Sequence, residues 1–203
     1  MAYNSNYRPS QKIPPIVLNL IIINVIVFIA QYALDSSLNL TMRFALYPYN
    51  SGYFEPYQLV THMFLHGGFF HILFNMWALW LFGSVLEKIW GPKKFLIFYL
   101  ICGLAAGLAE AFLVSGGPAI GASGAIMGLL GAFAYTFPNT QFYMIPFPFP
   151  IKAKYMAAIF AVFDLFGGVT GGDNVAHFAH LGGLAMGLIL CIIWNKTDKK
   201  TFY

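Results

Sequence analysis

Six stretches of this chain are apolar almost without interruption, and they leave little room for anything else. They cover residues 16–34, 69–86, 95–114, 118–137, 155–168 and 176–194. Most approach the roughly 20 residues that a helix needs to cross a bilayer. The fifth is the shortest, and it is expected to extend toward Ile151 or to sit less firmly than the others. Charged residues make up only 9% of the chain, against about 25% in a soluble domain. Alternation with period two is absent, which argues against a barrel. The chain therefore reads as an all-α integral membrane protein, a polytopic bundle of six transmembrane helices. One six-helix domain is expected over 16–194, with short tails at 1–15 and 195–203.

The basic residues orient this bundle. Arg8 and Lys12 precede the first run, and Lys88, Lys93 and Lys94 follow the second. Lys152 and Lys154 precede the fifth, and Lys196, Lys199 and Lys200 follow the sixth. Of the 11 Lys and Arg residues only Arg43 falls on the other side. That is the positive-inside pattern for six spans with both termini in the cytoplasm, and the bacterial plasma (inner) membrane is the expected location. The polar start of the chain has no small-residue cleavage site and reads as a cytoplasmic tail. With the net charge of +4 spread over span ends, no nucleic-acid partner is expected. Cys102 and Cys191 lie inside apolar runs and read as small buried hydrophobes, without disulfide or metal-ligand spacing.

Two connections stand out. Residues 35–68 carry Phe44, Tyr47, Tyr49, Tyr53, Phe54 and Tyr57, broken by Pro48, Pro56 and Ser51-Gly52. So many aromatic residues in one outer loop read as anchors at the headgroup level. On the inner side Pro146, Pro148 and Pro150 alternate with Phe147 and Phe149 in a connection that cannot be regular helix.

With this orientation, the second, fourth and sixth runs all begin at the outer face, and their outer ends hold most of the unusual polar residues. The fourth opens on Gly121-Ala122-Ser123-Gly124-Ala125, a serine stripped of steric cover. A serine needs a base within hydrogen-bond reach to act as a nucleophile. Small residues in an apolar run also serve plain helix packing. The sixth run supplies His177 and His180, where Ala179, Gly183 and Gly187 repeat every four residues. That close face suits Gly124 and Gly128 of the fourth run and would bring His180 to Ser123, while His177 is given no role. The second run brings His71 and Asn75, which share a helix face. Both can donate to a forming oxyanion, or equally satisfy one another. His62 and His66 precede that run and read as ties for the outer loop. A metal held by His62, His66 and His71 finds no support from an HExxH pattern or a nearby cysteine.

Together these motifs resemble the rhomboid family of intramembrane serine proteases. The resemblance rests on Gly121-Ala122-Ser123-Gly124, on His62, His66, His71 and Asn75 in THMFLHGGFFHILFN, and on Ala179-His180 in AHLGGLAMG, in matching order from Tyr57 to Leu190. It implies a Ser–His dyad without a catalytic aspartate: Ser123 as nucleophile, His180 as general base and then acid. His71, Asn75 and the backbone of Gly121 and Ser123 would form the oxyanion hole. Glu87 in EKIWG looks like the family's structural acid, and residues 35–68 look like its long, partly membrane-embedded outer loop. Two positions depart from the family: Tyr57-Gln58 replace a common Trp-Arg pair, and Met127 replaces a tyrosine that stacks on the catalytic histidine. A thioether can pack against an imidazole in the same way.

The implied activity is hydrolysis of transmembrane segments of other membrane proteins near the outer face, with no cofactor or metal. Its partners would be those substrates and the lipid bilayer, and the oligomeric state is left open. A dyad fits the shortage of carboxylates near the site, where Asp164 is the best candidate for a third member and reads as structural. The rival is a non-catalytic relative that binds or retains transmembrane segments, which would not need Ser123, His180, His71 and Asn75 together.

Overall fold

A computed structural model describes residues 12–114, 116–143, 149–171 and 175–197. Most of both expected tails, and Pro146, Phe147 and Pro148, lie outside the described residues. The main helices are α1 (Pro15–Leu38), α2 (Phe69–Trp90), α3 (Pro92–Leu113), α4 (Ser123–Thr136), α5 (Ala153–Thr170) and α6 (His177–Thr197). All but α4 are long and apolar enough to span a bilayer, and the chain is a multi-pass membrane protein. Large apolar side chains such as Ile26, Ile29, Phe163 and Phe166 are exposed along α1 and α5, as lipid-facing surfaces require. Strands β1 (Gln141–Tyr143) and β2 (Pro150–Lys152) pair antiparallel on the way into α5, a small departure from an all-α chain.

Local chemistry sets the helix ends. Pro15 opens α1, where a missing N–H costs nothing. The next two amides, Ile16 and Val17, donate to the two carboxylate oxygens of Glu87 at 2.9 and 2.8 Å. A carboxylate buried from α2 thus satisfies orphan donors of α1 and complements its dipole. Between α2 and α3, Gly91 takes φ +80° and Pro92 starts the next helix. A π-helical turn, Leu79–Gly83, interrupts α2 where Gly83 lies against the side chains of Val17 and Phe95.

The fourth apolar run, 118–137, reads as a span of ordinary length, but only 14 of its residues are helical. Pro118 to Gly121 stay outside the helix: Ala119 pairs with Leu46 of the loop between α1 and α2, and Gly121 takes φ +130°. What remains is a short helix with every residue from Gly124 to Ala134 buried. Small residues let its neighbours close in. A Cβ on Gly183 would strike the Gly124 carbonyl, and one on Gly187 the Gly128 carbonyl. A Cβ on Gly124 would lie 2.5 Å from that of Ala106 on α3.

At one end of the bundle Trp194 packs on Trp90 at 5.6 Å, and Lys94 Nζ lies 4.4 Å from its ring. There too Asn195 Nδ2 donates to Tyr135 Oη at 3.0 Å. The ends of α2, α4 and α6 and the start of α3 therefore share a level. From it α3 rises about 33 Å and α4 about 21 Å. Ser123, at the head of α4, stops roughly 12 Å short of the far end of α3.

The loop between α1 and α2 fills that step. His62 and Met63 sit where side chains on Gly107 and Gly103 would clash, midway along α3. Gln58 is the loop's hub: Oε1 accepts the amides of Tyr47 and Glu55 at 3.3 and 3.1 Å, and Nε2 donates to the Tyr53 carbonyl at 3.1 Å. Gln31 of α1 ties down the other end, accepting the His66 amide at 3.0 Å.

Candidate active site

Ser123 is the first residue of α4, and its Oγ lies 2.8 Å from His180 Nε2. The close approach of Gly124 and Gly128 to Gly183 and Gly187 sets this pairing. Without that contact the two helices would stand too far apart for a hydroxyl and an imidazole to meet. His180 stands in the first turn of α6, and the Ala179 amide beside it donates to Glu110 Oε2 at 2.9 Å. The ring's other nitrogen, Nδ1, lies 2.9 Å from Asp164 Oδ1, and His177 Nδ1 lies 2.8 Å from the same oxygen.

Two buried carboxylates, Glu110 and Asp164, thus brace the turn that carries His180. The expected shortage of carboxylates near the site is corrected by this arrangement, and His177 is no bystander. Glu110 had a legible signal, since an ionisable residue inside an apolar run rarely lacks a partner. Asp164 and the pair His177 and His180 are 13 and 16 residues apart across a helix connection, a contact that spacing does not reveal.

On the other side of Ser123 stands His71. Its Nδ1 accepts the Gly67 amide at 3.1 Å. A neutral imidazole that accepts at Nδ1 carries its hydrogen on Nε2. That nitrogen lies 2.9 Å from where a Cβ of Gly121 would be, and Ser123 Oγ lies 3.6 Å from the same point. The missing side chain of Gly121 therefore leaves the space between the His71 ring and the Ser123 hydroxyl open. The Gly121 amide donates to the His62 carbonyl at 2.9 Å, so in this structure that amide is engaged away from the gap. Asn75, one turn beyond His71, is buried with its Nδ2 unpartnered among the described residues.

His62 and His66 lie further back. His62 Nδ1 donates to the Gln58 carbonyl at 2.7 Å. Burial pushes His62 down to about 4, against the opposing pull of that bond. His66 packs its ring on His71, with centroids 5.1 Å apart, and neither ring nitrogen has a partner among the described residues. Burial, reinforced by repulsion between the two rings when His71 is protonated, pushes His66 down to about 4 as well. Both rings are thus neutral near pH 7. Met127 is buried in the apolar core one turn past Ser123. Among the described residues no group of three or more His, Cys, Asp or Glu side chains is placed to hold a metal ion.

A hydroxyl in contact with one imidazole, with a second imidazole across a glycine gap, thus lies inside a multi-pass helical membrane protein. Residues 53–196 match the family model of the Rhomboid domain, and the chain belongs to the rhomboid family. Rhomboid protein 1, mitochondrial, of Saccharomyces cerevisiae is 33% identical over 149 residues, covering 70% of this chain and 43% of that protein. Rhomboid protease GlpG of Yersinia pseudotuberculosis is 30% identical over 162 residues, covering 79% of this chain and 56% of that protein. Rhomboid protease GluP of Bacillus subtilis is 43% identical over 81 residues, covering 40% of this chain and 16% of that protein. The chain spans about half the length of the first two relatives and less of the third.

Proposed function

We propose that this chain is an intramembrane serine endopeptidase that cleaves transmembrane segments of other membrane proteins near the outer membrane face. The observation that carries the reading is the 2.8 Å contact between Ser123 Oγ and His180 Nε2 at the head of a recessed helix. Relatives named as rhomboid proteases support it.

In this mechanism His180 Nε2 takes the Ser123 proton as Oγ attacks the scissile carbonyl carbon. The C=O pair moves onto oxygen, where His71 Nε2–H, Asn75 Nδ2–H and the Ser123 amide stabilise the anion. Collapse breaks the C–N bond, and His180 gives its proton to the leaving amine. A water then gives its proton to His180 and attacks the acyl-enzyme, and Ser123 Oγ leaves with that proton. Glu87, His62, His66 and Met127 hold the scaffold around these groups. The positive-inside charge pattern supports a cytoplasmic position for both termini, with Ser123 toward the outer face.

The test is a fluorophosphonate probe on the purified chain in detergent, beside cleavage of a transmembrane substrate in vesicles. Wild type labels at Ser123 and cleaves. Ser123→Ala does neither and keeps its fold, and His180→Ala loses cleavage to a similar degree, since the pair acts as a unit. Substantial cleavage by Ser123→Ala would overturn the reading.

A further inference from the structure

The first turn of α6 sends two histidines back to a single oxygen on α5. His180 Nδ1 and His177 Nδ1 lie 2.9 and 2.8 Å from Asp164 Oδ1. Asp164 is buried, and its Oδ2 has no partner among the described residues. A buried carboxylate must be compensated, and here the hydrogen bonds fall on Oδ1 alone.

An ionised carboxylate can only accept hydrogen bonds, so each facing Nδ1 must carry a hydrogen. For His180 that choice has a chemical consequence. A neutral imidazole with its hydrogen on Nδ1 has its lone pair on Nε2, the atom that faces Ser123 Oγ at 2.8 Å. The opposite tautomer would present N–H to the serine and could not take its proton. The carboxylate is itself held from behind. The His177 ring occupies the place that a side chain on Gly167 would need, so the bare backbone of α5 forms the seat for this brace.

Resting on the Ser–His reading above, we propose that Asp164 is a positioning residue that fixes the tautomer and direction of His180, with His177 bracing it, so that the Ser–His pair works with a third, orienting member. The proton still moves once, from Ser123 Oγ to His180 Nε2. Asp164 does not take that proton; its carboxylate orients the ring and stabilises the imidazolium that forms.

The experiment reads the tautomer as well as the rate. Chain labelled with 15N-histidine is studied in detergent micelles, and the His180 ring signals are assigned by their loss in His180→Gln. Wild type should show a hydrogen on Nδ1 and none on Nε2. In Asp164→Asn the carboxamide can turn its NH2 toward Nδ1, so the Nε2–H form should grow. Turnover of a transmembrane substrate should then fall by up to about 10⁴-fold in kcat, the loss seen when a catalytic histidine is held in the wrong tautomer. KM should stay within about threefold, since ground-state binding is untouched. A role confined to tying α5 to α6 would shift thermal stability without moving the tautomer.

Wild-type His180 carrying its hydrogen on Nε2 would overturn the proposal, and this reading stands even if Asp164→Asn fails to fold. So would an Asp164→Asn variant whose kcat stays within about threefold of wild type. Ser123→Ala separates the two levels. If it still cleaves, the serine mechanism itself is lost. If it is dead while Asp164→Asn is fully active, only the role of Asp164 is lost.

Discussion

Asn75 is buried with an unpartnered amide nitrogen, a condition that costs a native fold about 1–3 kcal/mol. Such a cost is sensible where a charge arrives later to receive the hydrogen bond. Asn75→Ala should therefore lower kcat by about one to three orders of magnitude, as loss of one oxyanion donor does. Its thermal unfolding midpoint should hold or rise, because no native hydrogen bond of Nδ2 is lost. Unchanged turnover would remove Asn75 from the site. His62 and His66 make a different prediction, one of pH. Both are pushed from the ordinary 6.5 down to about 4, chiefly by burial. Between those values the unfolded chain binds protons that the folded chain refuses. Stability contributed by the neutral rings is therefore whole above about pH 6.5, falls as pH drops toward 4, and levels off below it. The loss is at most about 3 kcal/mol for each ring. Unfolding midpoints measured from pH 7 to pH 4 should fall, and His66→Gln should flatten the slope. An equal slope in the variant would mean that His66 is not the group responsible.

At the scale of elements, the contact between α4 and α6 decides whether Ser123 and His180 meet. A methyl group on Gly183 would land on the Gly124 carbonyl, and backbone cannot swing aside as a side chain can. Gly183→Ala should therefore cost at least the roughly 1–3 kcal/mol of an overpacked core, and turnover should fall with it as the two helices part. Gly68→Ala is the control. Nothing lies within 4 Å of a Cβ there, so stability should change by no more than about 0.5 kcal/mol. Thermal unfolding in detergent checks both, and equal effects would remove the close contact as the cause. The same contact was legible in the sequence, because glycines four apart on two runs announce a shared close face. The long helices were legible for a similar reason, since run length and apolarity are what the bilayer selects. The shortness of α4 was not, because an apolar run looks the same whether extended or helical. Pro118 and Gly121 were its only signs. Asp164 and Glu110 were legible as ionisable residues in apolar runs, but their contacts with α6 were not, because those depend on how helices turn toward one another, which no spacing within one run records.

For the whole molecule, the recessed head of α4 and the placement of charge must agree. Lys88, Lys93, Lys94, Lys152, Lys154 and Lys196 lie near the ends of α2 and α6 or the starts of α3 and α5. For α2, α3 and α6 that end is the level marked by Trp90 and Trp194. Arg43 belongs to the loop beside the other end. If lysines stay on the cytoplasmic side, Ser123 opens outward and takes its water from outside. Reversal would put the same hydroxyl in reach of cytoplasmic water and of a different set of substrates. Cysteine labelling decides between them. Cys102 and Cys191 are both buried, and replacing each with alanine gives a silent background. Single cysteines then go to Ser36, exposed near the C-terminal end of α1, and to Asn139, exposed after α4. In intact cells a membrane-impermeant maleimide should label the cysteine at 36 at once. The one at 139 should label only after the membrane is opened. The reverse pattern would turn the molecule over and carry Ser123 and His180 to the cytoplasmic side. Labelling of both from outside would break the helix count itself, because α2, α3 and α4 could not then all cross between the two positions.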